Sequence, residues 1–320
     1  MNSVGIFLAD DRLRPIWRFF LSVALVCAAL ALSAAILGTV FLICKVRPSP
    51  WVAAFWHILV GLIGVIGVSK LMTAAFEQRP LGSIGLALHP RWGRELGRGL
   101  VVGGAMLSVG ILPAVTCGFT RFSFAPHPML PAGSFSMVLF AAAAANEEII
   151  FRGYPFQRLA EAITPAGATA ATSALFGLVH LANPHWTWIS AINTALVGVT
   201  FCIAYLRTRS LWMPIGIHLG WNFLMGFFLG LPVSGLTIPI SVLTARVQGP
   251  IWVTGGQYGP EGSLLALGAI LVGTAYLSLT KSIYITEEMK VLVFAPATSH
   301  WPDPPLTIFS ASPQKGAKRD

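Results

Sequence analysis

The sequence predicts an all-α polytopic membrane protein, a bundle of about eight transmembrane helices. Three observations lead there. Charged residues make up only 10% of the 320 positions, against 55% hydrophobic, and mean hydropathy is +0.73; a soluble domain carries roughly 25% charged residues. Apolar runs close to the ~20 residues needed to cross a bilayer recur along the chain. Basic residues gather in the short loops between those runs.

Taken in order, the expected spans are 17–44, 52–76, 98–118, 134–157, 167–184, 186–206, 211–231 and 263–280. The first apolar run exceeds the ~7–15 residues of a signal-peptide core and reads as a retained helix. Residues 1–76 form a two-helix N-terminal segment, 77–281 the core, and 282–320 a flexible, polar cytoplasmic tail. The fifth and sixth spans are separated only by Asn183-Pro184-His185, so they form an antiparallel hairpin. The loop 232–262 is long and rich in Gly and Pro, and reads as a structured outer turn feeding the last helix. Its Thr254-Gly255-Gly256 stretch is no phosphate loop, because no Lys-Ser/Thr follows the glycines.

Charge sets the expected orientation. Arg79, Arg91 and Arg94 follow the second span, Arg152 and Arg158 the fourth, Arg207 and Arg209 the sixth, and Lys281 the eighth. The alternate loops hold fewer: Lys45 and Arg47, then Arg121, then Arg246. Both termini are therefore expected in the cytoplasm, and the lipid bilayer accounts for the net charge of +9. Nucleic-acid binding is excluded as a function class. The cysteines (Cys27, Cys44, Cys117, Cys202) lie in or beside apolar segments without close pairing, which argues against disulfides or a cysteine metal site.

Function is expected where charge is costly. Glu147 and Glu148 follow an apolar run with five consecutive alanines. A bare carboxylate in hydrocarbon costs several kcal/mol, so ionisable residues at that depth are functional suspects. Glu148 and Arg152 are four apart in the order that favours a helical ion pair. Glu147 is rotated about 100° from Glu148 and needs another partner. The doublet thus divides into a structural carboxylate and a free one. His180 lies in the fifth span, and His218 and Asn222 share a face of the seventh. His57 lies nearer a span's end. At 1.5 Å per residue, Glu147, His218 and His180 lie about 16, 13 and 18 Å from the basic side, so the three spans bring them to similar depth. Gly177 and Gly220 permit close helix approach. An opening on the cytoplasmic side is expected from these depths.

A carboxylate beside an imidazole can hold and deprotonate water. A second imidazole with an amide can stabilise an oxyanion. Two histidines and a carboxylate could instead ligate zinc, although His-Glu-x-x-His is absent and Asn is an unusual ligand. A proton relay of a transporter would use the same residue types, yet the polar residues lie only in the second half, without paired repeats.

Glu-Glu-x-x-x-Arg at 147–152, Phe-x-x-x-His at 176–180 and His-x-x-x-Asn at 218–222 resemble the three ordered motifs of the CPBP family, over roughly residues 75–280. That family contains the type II CAAX prenyl endopeptidases and the bacterial Abi and bacteriocin-immunity proteins. The resemblance implies an eight-helix intramembrane endopeptidase. Glu147 would be general base, His180 would hold water, and His218 and Asn222 would form the oxyanion hole. Glu148, Arg152 and Phe176 would support them. It implies no cofactor, with zinc entering only if the older metalloprotease description holds. The implied partner is a membrane protein or lipid-modified peptide; the Ala- and Gly-rich composition points to a bacterium and so to its inner membrane. A non-hydrolytic immunity factor or scaffold is the competing reading.

Overall fold

The computed structural model describes residues 4–9, 12–125 and 130–294. The chain is helical, as expected, and its hydrophobic helices stand close to the predicted positions. They are α1 (Pro15–Ile43), α2 (Pro50–Met72), α3 (Trp92–Thr116) and α4 (Leu130–Arg152). After a short helix α5 (Tyr154–Ala162) come α6 (Pro165–Val179), α7 (Trp188–Thr208), α8 (Trp212–Phe223) and α9 (Leu264–Leu279). Proline at the first turn of α1, α2 and α6 is compatible with the free N–H positions there. Thr187 and Ser190 form a reciprocal capping box at α7.

Among the described residues, five helical stretches are long and apolar enough to cross a membrane: α1, α2 with its extension to Glu77, α3, α4 with α5, and α7. α6, α8 and α9, with 15, 12 and 16 residues, fall short of a full crossing on their own. α6 is extended by a 3-10 turn at His180–Ala182 and α8 by a π turn at Leu224–Phe228. Large apolar side chains face outward along the long helices, including Leu32, Ile63, Val101 and Leu112, each at least 60% exposed. Such faces suit lipid, because a water-soluble chain rarely leaves them open in continuous stripes.

Two boundaries differ from expectation. Instead of continuing to residue 157, the fourth span breaks at Gly153, where the backbone turns out of the helical region. Pro155 follows in the first turn of α5; it has no N–H to give and its ring would clash within a continuous helix. The redirected α5 carries Arg158 to Glu77 (2.9 Å) and Glu161 (2.6 Å). The tail, expected to be flexible from residue 282, is docked as far as 294. Arg207 donates to the carbonyls of Thr280 (2.6 Å) and Ile283 (2.9 Å), Arg79 donates to those of Leu292 and Val293, and Ile283 and Met289 are buried. A helix α10 (Glu287–Phe294) forms there; residues 295–320 lie outside the described residues. Arg18 of α1 pairs with Glu77 at 2.6 Å, and Glu77 also pairs with Arg158 in α5 and accepts from Tyr154 (3.0 Å), tying the N-terminal helices to the core.

The tightest packing sets the site. α3 and α8 cross through two glycine pairs, Gly99 and Gly103 on one, Gly216 and Gly220 on the other. A methyl on Gly99, Gly103, Gly216 or Gly220 would run into the carbonyl of Met213, Ile217, Leu96 or Leu100 respectively. Small residues four apart let backbones approach this closely. On α8 the sequence interleaves two such spacings: Gly216 and Gly220, then His218 and Asn222, offset by two residues. Two residues are about 200° of helix. The glycine face therefore seats α8 on α3, and the opposite face presents His218 and Asn222 to the interior. At the far end of the bundle β1 (Thr120–Phe124) pairs antiparallel with β2 (Leu243–Val247).

Candidate active site

The predicted residues of α4, α6 and α8 converge. Glu148 and Arg152 pair at 3.3 Å, both side chains fully buried, as the i,i+4 spacing requires. Arg152 also donates to the Gly198 carbonyl of α7 at 3.1 Å; a side chain at Gly198 would press on that guanidinium. The guanidinium lies 4.6 Å from the Phe176 ring and 5.2 Å from Phe201. Desolvated cation–π contacts of this kind contribute about 2 kcal/mol. Phe176 is thereby a support for two neighbours, Arg152 on one side and the His180 ring, 4.7 Å away, on the other.

Glu148 does more than neutralise Arg152. The same Oε1 lies 3.0 Å from His218 Nδ1. A carboxylate only accepts, so the ring keeps its Nδ1 proton and turns Nε2 toward the interior. Nε2 lies 3.8 Å from Glu147 Oε2, and Phe201 stacks on the ring at 5.1 Å and 17°. Glu147 is the freer carboxylate: its side chain is 34% exposed and Oε2 has no hydrogen-bond partner among the described residues. His180 closes α6, and its Nδ1 lies 2.7 Å from the Phe176 carbonyl. That carbonyl can only accept, so neutral His180 carries its proton on Nδ1 and offers Nε2 as an acceptor. Asn222 lines the same space.

Two cavities meet here. A groove of about 360 Å3 contains Glu147, Phe151 and Leu139 of α4, and is bordered by Trp51 and Ala54 of α2 and by Leu236 and Ile238. An inner chamber of about 40 Å3 lies toward α7 and α9 and contains Asn193, Thr194, Ser234 and Glu261. His180, His218, Asn222 and Ser234 line both, so the two spaces adjoin at these side chains.

Residues 51, 183, 233 and 236 of the groove lining belong to helix ends and loops away from Arg79, Arg158 and Arg209, and Glu147 and Phe151 of α4 complete the lining deeper in the bundle. Glu261 corrects an expectation. Only Glu147 and Glu148 lie in a stretch apolar enough to be membrane-buried, so no other acidic residue is expected at the depth of the histidines. The 232–262 segment folds back and delivers its carboxylate to the chamber. Ser234 donates to Oε2 from its backbone N (2.6 Å) and from Oγ (2.9 Å). Burial pushes this carboxyl above the ordinary range; the Ser234 bonds and then the positive influence of His180 and His218 oppose that. Phe201 and Asn193 also escape a sequence reading, since nothing on α7 marks them apart from ordinary interior residues. The described residues contain no group of three or more His, Cys, Asp or Glu arranged to hold a metal ion.

Residues 130–224 match the family described as type II CAAX prenyl endopeptidase Rce1-like. The matched segment contains all three motifs and every predicted site residue from Glu147 to Asn222. A protein of Bacillus subtilis (strain 168), provisionally named membrane peptidase YdiL, is 38% identical over 76 residues. That similarity covers 24% of this chain and 29% of the relative, so the chain matches under a third of the relative's length.

Proposed function

We propose that this membrane protein is an intramembrane endopeptidase in which Glu147 activates water and no covalent intermediate forms. The observation that carries the proposal is the facing of Glu147 Oε2, without a hydrogen-bond partner among the described residues, and His218 Nε2 across 3.8 Å at the foot of a groove. Water placed there donates one hydrogen to Glu147 and the other to the acceptor Nε2 of His180, leaving its lone pair free. The water oxygen attacks the peptide carbonyl carbon as Glu147 takes its proton. Asn222 Nδ2 donates to the carbonyl oxygen as it becomes negative. His218, lying between two carboxylates, joins as a donor when its Nε2 also carries a proton; each such donor contributes about 3–4 kcal/mol. Collapse expels the amine, which receives the proton from Glu147. Glu148 holds His218 in register, and Arg152 with Phe176 holds Glu148.

The substrate enters from the bilayer or from the rim at the end opposite the arginines. If the basic end is cytoplasmic, as the charge distribution suggests, the groove opens to the other face of a bacterial inner membrane. With the native cysteines replaced, an impermeant maleimide added to intact cells should label Leu236→Cys at the rim and leave Arg209→Cys unlabelled. The reverse pattern would place the groove toward the cytoplasm.

Purified protein in liposomes should cleave a prenylated CAAX peptide, the substrate class named by the matched family, or the same peptide without its lipid. Glu147→Ala should cleave neither. Chelation followed by dialysis should leave the wild-type rate within about twofold, because in this mechanism Glu147 alone takes the proton from water. Rate loss on chelation, restored by zinc at one ion per chain, would replace this mechanism with a metal-dependent one.

A further inference from the structure

The inner chamber is a built feature of the fold. Asn193 of α7 donates from Nδ2 to the carbonyls of Glu261 and Ser263, each at 2.8 Å, and so fixes the segment that carries Glu261. Gly235 and Gly259 hold positive φ angles of 83° and 102°, and a side chain on either would strike the Pro184 or Pro232 carbonyl. The Gly235 N–H donates to the Tyr258 carbonyl at 2.8 Å and ties the two limbs of the loop together. These contacts bring a carboxylate into the space lined by His180, His218 and Asn222. Two more residues that line the same space carry unsatisfied polar atoms: Trp221 Nε1 and Asn193 Oδ1 are buried without a hydrogen-bond partner among the described residues. A buried polar atom without a protein partner costs about 1–3 kcal/mol unless water satisfies it. A water needs on the order of 10–15 Å3 of such space and two to four polar partners. The chamber's 40 Å3 suits about two or three waters.

We propose that this chamber stores the hydrolytic water of the site, and that Glu261, anchored by Ser234, is the positioning residue that keeps it against His180. The proposal rests on the hydrolytic reading. A proteolytic site surrounded by lipid must draw water from somewhere, and the groove's apolar rim hinders supply once a substrate fills it. Water in the chamber has donors in Trp221 Nε1 and the Asn222 amide, and acceptors in Glu261, Asn193 Oδ1 and His180. Moving one water past His180 brings it to Glu147 without opening the groove.

Hydroxyl-radical footprinting of the purified full-length protein tests this without depending on cleavage. Trp221 is 7% exposed, yet it should be modified at a rate near that of Trp252, which is 55% exposed, and far faster than fully buried Phe156. Glu261→Leu should lower Trp221 modification at least fivefold, while the isosteric Glu261→Gln keeps it. On whichever CAAX peptide the wild type cleaves, Glu261→Leu should lower kcat at least tenfold and leave KM within twofold. Wild-type Trp221 modified no faster than Phe156 would overturn the proposal, even if Glu261→Leu fails to fold. So would unchanged Trp221 modification in a folded Glu261→Leu protein, or a change confined to KM, which would assign the chamber to a substrate group. If neither peptide is cleaved, the hydrolytic reading fails separately, and the footprint still decides whether the chamber holds water.

Discussion

Glu147→Gln is expected to lower peptide cleavage by on the order of 10²–10⁴-fold, the range for loss of a positioned general base, with the detergent melting temperature essentially unchanged. The expectation follows from how little Glu147 contributes to the fold. Its side chain is one-third exposed to the groove, and His218 Nε2 stands 3.8 Å from it, beyond hydrogen-bond length. Gln keeps the shape and an acceptor oxygen but cannot take a proton from water. Cleavage that persists within tenfold of wild type in Glu147→Gln would remove this residue from the chemistry.

The adjacent residue should behave in the opposite way. Glu148→Gln is expected to cost about 3–5 kcal/mol of stability, the usual penalty for removing one member of a buried ion pair. Arg152 would keep its charge at zero exposure with no anion to balance it, leaving the neutral Gln oxygen, the Gly198 carbonyl and aromatic rings to compensate. Folded proteins have about 5–15 kcal/mol in total, so low expression and an early melt should be evident. His218 would also lose the carboxylate that orients it, so the folded fraction should cleave slowly. Equal melting temperatures for Glu147→Gln and Glu148→Gln would contradict the division between a chemical and a structural carboxylate.

How much of the fold and site is legible in the sequence depends on the range of each contact. Glu148 with Arg152, Phe176 with His180 and His218 with Asn222 are each four residues apart, and helical geometry alone places each pair on one face. The Glu148–His218 contact joins residues 70 apart, and no local spacing announces it; helical spacing alone assigns Glu148 to Arg152 and nothing else. Glu261 escapes for a related reason. It sits in a Gly- and Pro-rich stretch outside any apolar run, and only the fold-back through Gly235 and Gly259 brings it to the histidines. The break after Arg152 is readable in principle. Gly153-Tyr154-Pro155 is a helix-stopping signal, outweighed by the apolar residues around it. Along the tail, the polar composition masks Ile283 and Met289, whose burial depends on arginines far away in the chain.

Membranes from cells producing the wild type and from cells producing Glu147→Gln at equal level, compared for new protein N-termini by mass spectrometry, test the central claim most directly. An endopeptidase dependent on Glu147 predicts a set of N-termini within or beside membrane segments that is present with the wild type and absent with the variant. Identical sets from the two, with both proteins folded, would contradict it and favour a membrane protein that keeps these residues for structure.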